Sequence, residues 1–193
     1  MSAKRSGGAL VLALGLTSFA CSPTQPPAAV PAPAPASAPA CVPHSVILVR
    51  HAEKATSDPQ ERDPELSPKG RERAARLATM LGKTAISRLV ASEYKRTKLT
   101  LAPLSERTGK PVEVRSASHT NDLVRELREA PAGSITVVAT HSNVIPTIVH
   151  DLGGAALRDV GADGALPEDD FSRVLVVSVG CSPTASVVEL SSD

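Results

Sequence analysis

Short apolar runs alternate along this chain with longer segments in which apolar residues recur at helical spacing. Runs rich in Val, Ile and Leu between polar residues predict buried strands of a parallel sheet. Ala and Leu residues spaced three and four apart predict amphipathic helices between those strands. The predicted strands cover 45–49, 86–91, 112–114 and 135–139, and the predicted helices cover 68–81, 96–108, 122–129 and 146–152.

Serine, proline and glycine mark where the helices are expected to begin and end. Ser67 is an N-cap residue and Pro68 a first helical residue, while Gly82 ends the same helix. Pro103 lies inside the second predicted helix, where it predicts a bend or a break.

Two further apolar runs, 173–179 and 185–190, follow a loop rich in Gly and Asp and predict a hairpin. A hairpin in this position suggests an antiparallel edge on an otherwise parallel sheet. Strands that alternate with helices are typical of α/β folds, so we expect a three-layer sandwich with a mostly parallel central sheet. We expect this domain to cover 44–193, which is long enough to bury a core of its own.

The N-terminus carries an export pattern. Lys4 and Arg5 precede an apolar stretch over 9–20, and Cys21 follows it. This pattern predicts a signal peptide over 1–21, and the apolar stretch is shorter than a membrane-spanning helix needs. Ser18-Phe19-Ala20-Cys21 resembles a bacterial lipobox, with Ser18 where Leu is usual, which predicts lipidation at Cys21. Ordinary cleavage after Ala20, which would leave Cys21 as a plain thiol, is the alternative.

Residues 22–43 are nearly all Pro and Ala and contain no charged and no aromatic residue. Proline fixes φ and removes backbone donors, so this composition predicts an extended linker without a packed core. We interpret it as a tether between a membrane anchor and the domain, or as an extension with no specific role.

Composition excludes several classes of partner. Lys and Arg balance Asp and Glu, with a formal net charge of +1, and the chain has no Trp and one Tyr. A nucleic-acid partner is therefore not expected. The sequence contains no Cys-x-x-Cys motif and no His-rich spacing, so a metal site is not expected. In an exported domain, Cys41 and Cys181 are candidates for a disulfide, with two unpaired thiols as the alternative.

Arginine and histidine residues follow three of the predicted strands. Arg50 and His51 follow the first strand, Arg96 lies just after the second, and His141 follows the strand over 135–139. Because ligands bind beyond the carboxyl ends of parallel strands, these side chains are expected to converge. Guanidinium groups match phosphoryl oxygens and an imidazole nitrogen can attack phosphorus, so the pattern predicts a phosphoryl site.

Four segments resemble the histidine phosphatase superfamily, whose fold is called phosphoglycerate mutase-like, and in particular its small phosphohistidine phosphatases. Arg50-His51-Ala52-Glu53 is similar to the family's Arg-His-Gly motif, with Ala52 where glycine is usual. The family's second arginine segment resembles Ser92-Glu93-Tyr94-Lys95-Arg96-Thr97 with Leu101-Ala102. Its second histidine segment resembles Thr140-His141-Ser142-Asn143. The loop before its first helix resembles Pro64-Glu65-Leu66-Ser67-Pro68-Lys69-Gly70. They occur in the family's order between residues 45 and 190.

The resemblance implies a role for each of these side chains. His51 would be the nucleophile that forms a phosphohistidine, and it must be neutral to attack, which the neighbouring cations favour. Arg50, Arg96 and His141 would bind the phosphoryl oxygens, and Ser142 is a further substrate-binding candidate. Because phosphoryl transfer depends mainly on positioning and electrostatics, no metal or other cofactor is expected.

The sequence leaves the identity of the proton donor open. Large acid phosphatases of the family have Asp directly after the second histidine, where this chain has Ser142. Glu53 is close to the nucleophile in sequence and is a candidate for donating the proton or for supporting a neighbouring group. The other candidates are Glu106, Glu113, His119, Asp122, Glu126 and Glu129.

The leading interpretation is an exported, membrane-anchored, metal-independent phosphatase that faces the periplasm or the cell surface. Its substrate would be a small phosphomonoester, a phosphoprotein or a phosphohistidine. A surface lipoprotein that binds a phosphorylated ligand with little or no turnover is an alternative. A phosphoglycerate-type mutase is a lesser one, because the domain is compact and the chain is exported. The sequence specifies neither the substrate nor the oligomeric state.

Overall fold

The structure is a computed structural model that describes residues 42–193 of the chain. Its strands are β1 His44–Arg50, β2 Arg88–Ser92, β3 Val112–Arg115, β4 Ile135–Thr140, β5 Arg173–Val179 and β6 Ser186–Ser191. Its helices are α1 Pro68–Leu81, α2 Lys95–Thr108, α3 Thr120–Arg128 and α4 Ile145–Asp151, with a 3₁₀ turn over Ala117–His119.

The six strands form one sheet in the order β3-β2-β4-β1-β5-β6. The four strands from β3 to β1 are parallel, whereas β5 and β6 pair in the antiparallel sense. The predicted α/β fold, the mostly parallel sheet and the antiparallel edge are therefore confirmed.

Both faces of the sheet are covered, as the apolar runs predict. Along β1, Val46 and Leu48 point to the face that carries α3 and α4, while Ile47 and Val49 point to the face that carries α1 and α2. Each of these four side chains is at least 95% buried. Because both faces of β1 are buried, its segment 46–49 is continuously apolar, and this apolar run ends at Arg50.

Helix limits agree with the predicted ones to within two residues. Ser67 caps α1, since its hydroxyl oxygen accepts a hydrogen bond from the N–H of Gly70 at 3.1 Å. The predicted break at Pro103 is wrong, because α2 continues through this residue to Thr108. Leu101 and Leu104, both fully buried, hold the helix against the sheet on either side of the proline.

The predicted signal peptide over 1–21 and nearly all of the predicted linker over 22–43 lie outside the described residues. Lipidation at Cys21 and export therefore stay predictions. Among the helices within 42–193, none is both long and apolar enough to span a bilayer.

Candidate active site

Three strand ends meet at one edge of the sheet because β2, β4 and β1 are direct neighbours. The parallel register pairs Arg50 with Thr140, and the N–H of His51 donates to the carbonyl of Thr140 at 2.9 Å. His51 and His141 therefore leave the sheet side by side, with ring centroids 5.4 Å apart. Ser92, at the end of β2, lies on the other side of His141, so the structure brings the predicted strand ends together.

His51 is a neutral imidazole, and only its Nδ1 has a hydrogen-bond partner among residues 42–193. Its Nδ1 lies 2.8 Å from the carbonyl oxygen of Ala52, which can only accept, so Nδ1 carries the proton and Nε2 carries the lone pair. Burial lowers the pKa of His51 to about 4; the hydrogen bond to Ala52 opposes this shift and the Arg96 guanidinium adds to it. The N–H of Ala52 donates in turn to Thr100 Oγ1 at 2.9 Å, which ties this turn to α2. His51 is thus able to act as a nucleophile at neutral pH.

Arg50 is anchored by the backbone of the loop before β5. Its Nη1 donates to the carbonyl oxygens of Pro167 at 2.8 Å and Glu168 at 2.9 Å, and the guanidinium carbon lies 4.2 Å from the ring centre of Phe171. Its Nε is buried and has no hydrogen-bond partner among residues 42–193. Because an unpaired buried N–H is costly, an anion at this position would supply the missing acceptor.

Arg96 is positioned by the first turn of α2 and by a carboxylate from the loop after β1. Its guanidinium carbon lies 4.3 Å from the ring centre of Tyr94, and its Nη1 lies 3.7 Å from Asp63 Oδ1. Asp63 Oδ1 also accepts from the N–H of Lys95 at 2.9 Å, whereas Tyr94, the N-cap residue, makes no capping bond with its own side chain. Asp63 therefore caps α2 from outside the helix and orients Arg96.

His141 is the second neutral histidine of the site. Its Nε2 lies 3.0 Å from Ser92 Oγ, and its ring packs edge-on against Tyr94 with centroids 5.1 Å apart. Burial lowers the pKa of His141 to about 4; the Arg96 guanidinium lowers it further and the Glu93 carboxylate opposes the shift. At neutral pH this imidazole therefore has a single N–H to offer to a ligand.

Two pockets meet at His51 and Arg96. One has a volume of about 460 Å³ and the other of about 320 Å³. The larger is also lined by Tyr94, Ser118, His141, Ser142 and Asn143, and the smaller by Arg50, Glu53, Lys54, Thr56, Glu168 and Phe171. The cationic junction suits a phosphoryl group, and the flanking pockets leave room for the rest of a substrate.

Glu53 lines the smaller pocket, but its carboxylate is already bound. Arg73 donates to it through Nε and Nη2, each at 3.0 Å, and Lys69 Nζ lies 3.5 Å away. Although burial raises it, the pKa of Glu53 is lowered below its usual value by the hydrogen bonds from Arg73. An ionised, paired carboxylate is a poor proton donor, so the geometry favours the supporting role and disfavours the predicted catalytic one.

None of the other predicted proton donors lines either pocket. Glu113 and Glu126 pair with Arg88 on the far part of the sheet, and Asp122 pairs with Arg125 on α3. Glu106, His119 and Glu129 also lie outside both pockets. Glu168, which the sequence reasoning missed, is the additional carboxylate at the smaller pocket, and its only signal in the sequence is an acidic run just before β5.

The predicted disulfide involves one cysteine within the described residues and one outside them. Cys181 is disulfide-bonded, while Cys41 lies outside those residues, so their pairing stays a prediction. Within 42–193, no three His, Cys, Asp or Glu side chains are grouped so as to hold a metal ion. The side chains that converge at His51 are instead hydrogen-bond donors, which suit a tetrahedral oxyanion.

Part of the chain is similar to a known protein family. The sequence profile of the histidine phosphatase superfamily (branch 1) matches residues 46–119, which include Arg50, His51 and Arg96. No curated protein is detectably similar in sequence to the chain.

Several solved structures share the fold. The protein histidine phosphatase SixA, complexed with tungstate, has a TM-score of 0.60 at 18% identity, over 77% of this chain and 97% of that one. A mycobacterial glucosyl-3-phosphoglycerate phosphatase has a TM-score of 0.55 at 18% identity, over 76% and 97%. YhfR from Bacillus stearothermophilus has a TM-score of 0.58 at 15% identity, over 75% and 95%. The fold of residues 42–193 is therefore phosphoglycerate mutase-like.

Proposed function

We propose that this chain is a member of the histidine phosphatase superfamily and hydrolyses a phosphomonoester or a phosphohistidine without a metal. The observation that carries the proposal is a neutral His51 with a free Nε2, set between two arginines at the edge of the sheet. The family profile over 46–119 and the fold shared with phosphatases of known structure support it.

The proposed reaction has two steps at one phosphorus atom. In the first, Nε2 of His51 attacks, the nitrogen–phosphorus bond forms and the bond to the leaving group breaks. In the second, water attacks the phosphohistidine, the nitrogen–phosphorus bond breaks and inorganic phosphate leaves. Arg50 and Arg96 neutralise the charge on the phosphoryl oxygens in both steps, and His141 donates one hydrogen bond.

We infer that Glu168 is the proton donor for the leaving group. It lines the pocket beside His51 and forms no ion pair within 42–193, in contrast to Glu53. Glu168→Gln is expected to slow hydrolysis of alkyl phosphates while leaving p-nitrophenyl phosphate, whose leaving group needs no proton, much less affected. Asp169→Asn removes the same charge from the adjacent exposed position and is the matched control. Equal losses on both substrates would contradict this role.

The function is tested with purified protein and p-nitrophenyl phosphate in the presence of EDTA. Turnover is expected in the wild type and is expected to vanish in His51→Ala and Arg96→Ala. His150→Ala, which changes a histidine that is 85% exposed and outside both pockets, is expected to be fully active. Loss of activity in EDTA, or activity that survives His51→Ala, would overturn the proposal. Binding of inorganic phosphate without any turnover would favour the alternative of a ligand-binding lipoprotein.

We also propose that the protein is exported and anchored through a lipid at Cys21. The basic residues, the apolar stretch and the lipobox-like segment at the N-terminus support this proposal. Cys21→Ser is expected to move the protein from the membrane fraction to the soluble fraction. Unchanged fractionation would refute the anchor without bearing on the proposed reaction.

A further inference from the structure

The two edge strands of the sheet differ in how they are protected from pairing with another chain. β3 has four residues, and two of them, Glu113 and Arg115, are charged and belong to a network of ion pairs. β6 has six residues, of which only Glu189 is charged, and it contains no proline and no break in its pairing with β5. Because short strands and charged side chains hinder edge-to-edge pairing, β3 is a protected edge and β6 is not.

β6 also presents apolar side chains to solvent. Within residues 42–193 it pairs only with β5, so the backbone groups along its outer side have no strand partner there. Val188 and Leu190 lie opposite Val176 and Val174 of β5, and therefore point to the face that carries α1 and α2. The described helices leave them uncovered, since Val188 is 52% exposed and Leu190 is 48% exposed. This edge is thus open to extension by a strand from another chain.

The composition of the segment before the domain argues against its use as the missing strand. Seven of the 20 residues over 22–41 are proline, and no more than three consecutive residues lack it. Proline has no N–H to donate to a ladder, so this segment cannot supply the regular donors that a paired strand needs. A second copy of the chain has no such restriction, because its β6 already forms a regular ladder with β5.

The sequence of β6 permits antiparallel pairing with itself in one register. A two-fold axis perpendicular to the sheet sets one residue opposite the same residue of the second copy. The middle residues of the strand are Val188 and Glu189. An axis at Glu189 would oppose two carboxylates, which is destabilising. An axis at Val188 opposes two valines and sets Leu190 opposite the second copy's Ser186, so this register opposes no like charges.

We propose that the chain forms a two-fold symmetric dimer in which β6 pairs antiparallel with β6 of a second copy, centred on Val188. The two six-stranded sheets become one continuous sheet, and the backbone groups on the outer side of β6 gain partners. The apolar side chains of Val188 and Leu190 in the two copies meet across the axis. None of Ser186–Ser191 lines the two pockets at His51, so this contact is independent of the proposed reaction.

Sedimentation equilibrium of the purified full chain tests the dimer. The wild-type mass is expected to rise with concentration from that of one chain to that of two. Val188→Lys and Val188→Glu each oppose two like charges at the axis, so each variant alone is expected to stay monomeric. An equal mixture of the two is expected to dimerise, because an ammonium group then faces a carboxylate. The matched control Val114→Lys, at a valine of β3 that is 48% exposed, is expected to behave like the wild type.

A short cross-linker that bridges two thiols tests the register. In Val188→Cys the two new thiols face each other across the axis, with Cβ atoms about 4.5 to 5.5 Å apart, and are expected to be bridged. In Leu190→Cys they are offset by four residues along the strand, which is about 13 Å, and are expected to stay unbridged. The wild type gives the background from its three native cysteines. Urea unfolding of each variant verifies that the fold is intact, since both substituted positions are exposed.

The results decide between this dimer and its alternatives. A wild type that stays monomeric over the whole concentration range would refute the dimer. A dimer that survives both Val188→Lys and Val188→Glu, or that is lost equally in Val114→Lys, would place the contact elsewhere and also refute it. A mixture that stays monomeric, or cross-linking in Leu190→Cys but not in Val188→Cys, would refute the pairing centred on Val188.

Discussion

His51 is expected to remain neutral in acid conditions that would charge an ordinary histidine. Burial lowers its pKa to about 4, from an ordinary value of 6.5, and the Arg96 guanidinium contributes to the shift. At pH 5 a histidine with a pKa of 4 is about nine-tenths neutral, whereas one with a pKa of 6.5 is only about 3% neutral. The nucleophilic form is therefore about 30 times more abundant at pH 5 than it would be without the shift.

The shift is measured directly by a ¹⁵N NMR titration, because phosphomonoesters, the substrates of the proposed reaction, titrate in the same range and complicate rate profiles. The wild type is expected to titrate at His51 near pH 4, with the resonance identified by its loss in His51→Ala. Arg96→Gln removes a neighbouring cation and is expected to raise the pKa of His51. Arg88→Gln, which changes an arginine at the far part of the sheet, is expected to leave it unchanged. A wild-type His51 that titrates between pH 6 and 7 would refute the reasoning.

The same shift predicts how stability depends on pH. Between pH 6.5 and pH 4 the unfolded chain binds a proton on His51 that the folded chain excludes, so stability falls as the pH falls through this range. The full effect of His51 is about 3 kcal/mol, reached near pH 4. Urea unfolding at pH 7 and pH 4.5 is expected to show a smaller loss in His51→Gln than in the wild type, and an equal loss in the two proteins would contradict the linkage.

Two further predictions concern the packing behind His51. Arg73→Met removes the buried guanidinium that donates two hydrogen bonds to the partly buried Glu53 carboxylate and leaves it only the exposed Lys69, so it is expected to cost about 3 kcal/mol in urea unfolding. Arg76→Met, at an arginine that is 44% exposed, should cost less than about 1 kcal/mol. A Cβ on Gly70 would overlap the carbonyl oxygen of Glu53, so Gly70→Ala is expected to cost about 1 to 3 kcal/mol and to lower activity. The exposed control Glu72→Ala should change stability by less than about 0.5 kcal/mol. Equal effects of variant and control in either pair would contradict the assigned contact.

The strand ends were predictable because each apolar run stops where its strand leaves the sheet. Arg50, His51 and His141 follow such runs directly, so their place at the carboxyl edge follows from the behaviour of parallel sheets. Their distances depend also on the strand order β2-β4-β1, which sets His141 between Ser92 and His51. That order results from packing between distant parts of the chain, and no local pattern records it.

The contacts that set each side chain's role were not predictable. Arg50 is held by main-chain carbonyls of a loop that lies 117 residues or more further along the chain, and backbone acceptors leave no mark in a sequence. Glu53 is paired rather than free because α1 presents Arg73 to it, which depends on how the helix is rotated against the sheet. Asp63 lies in a polar loop, where a carboxylate is usually solvated, and only the fold brings it to the first turn of α2.

The anchoring of Arg50 also bears on how such a site diverges in evolution. Its acceptors are the carbonyl oxygens of Pro167 and Glu168, so the guanidinium keeps its partners whatever side chain stands at position 168. Substitutions in this loop can therefore alter the charge and shape at the mouth of the smaller pocket while Arg50 stays in place. Descendants of one ancestor would then acquire different substrate preferences by exchanging loop side chains, with no compensating change inside the sheet.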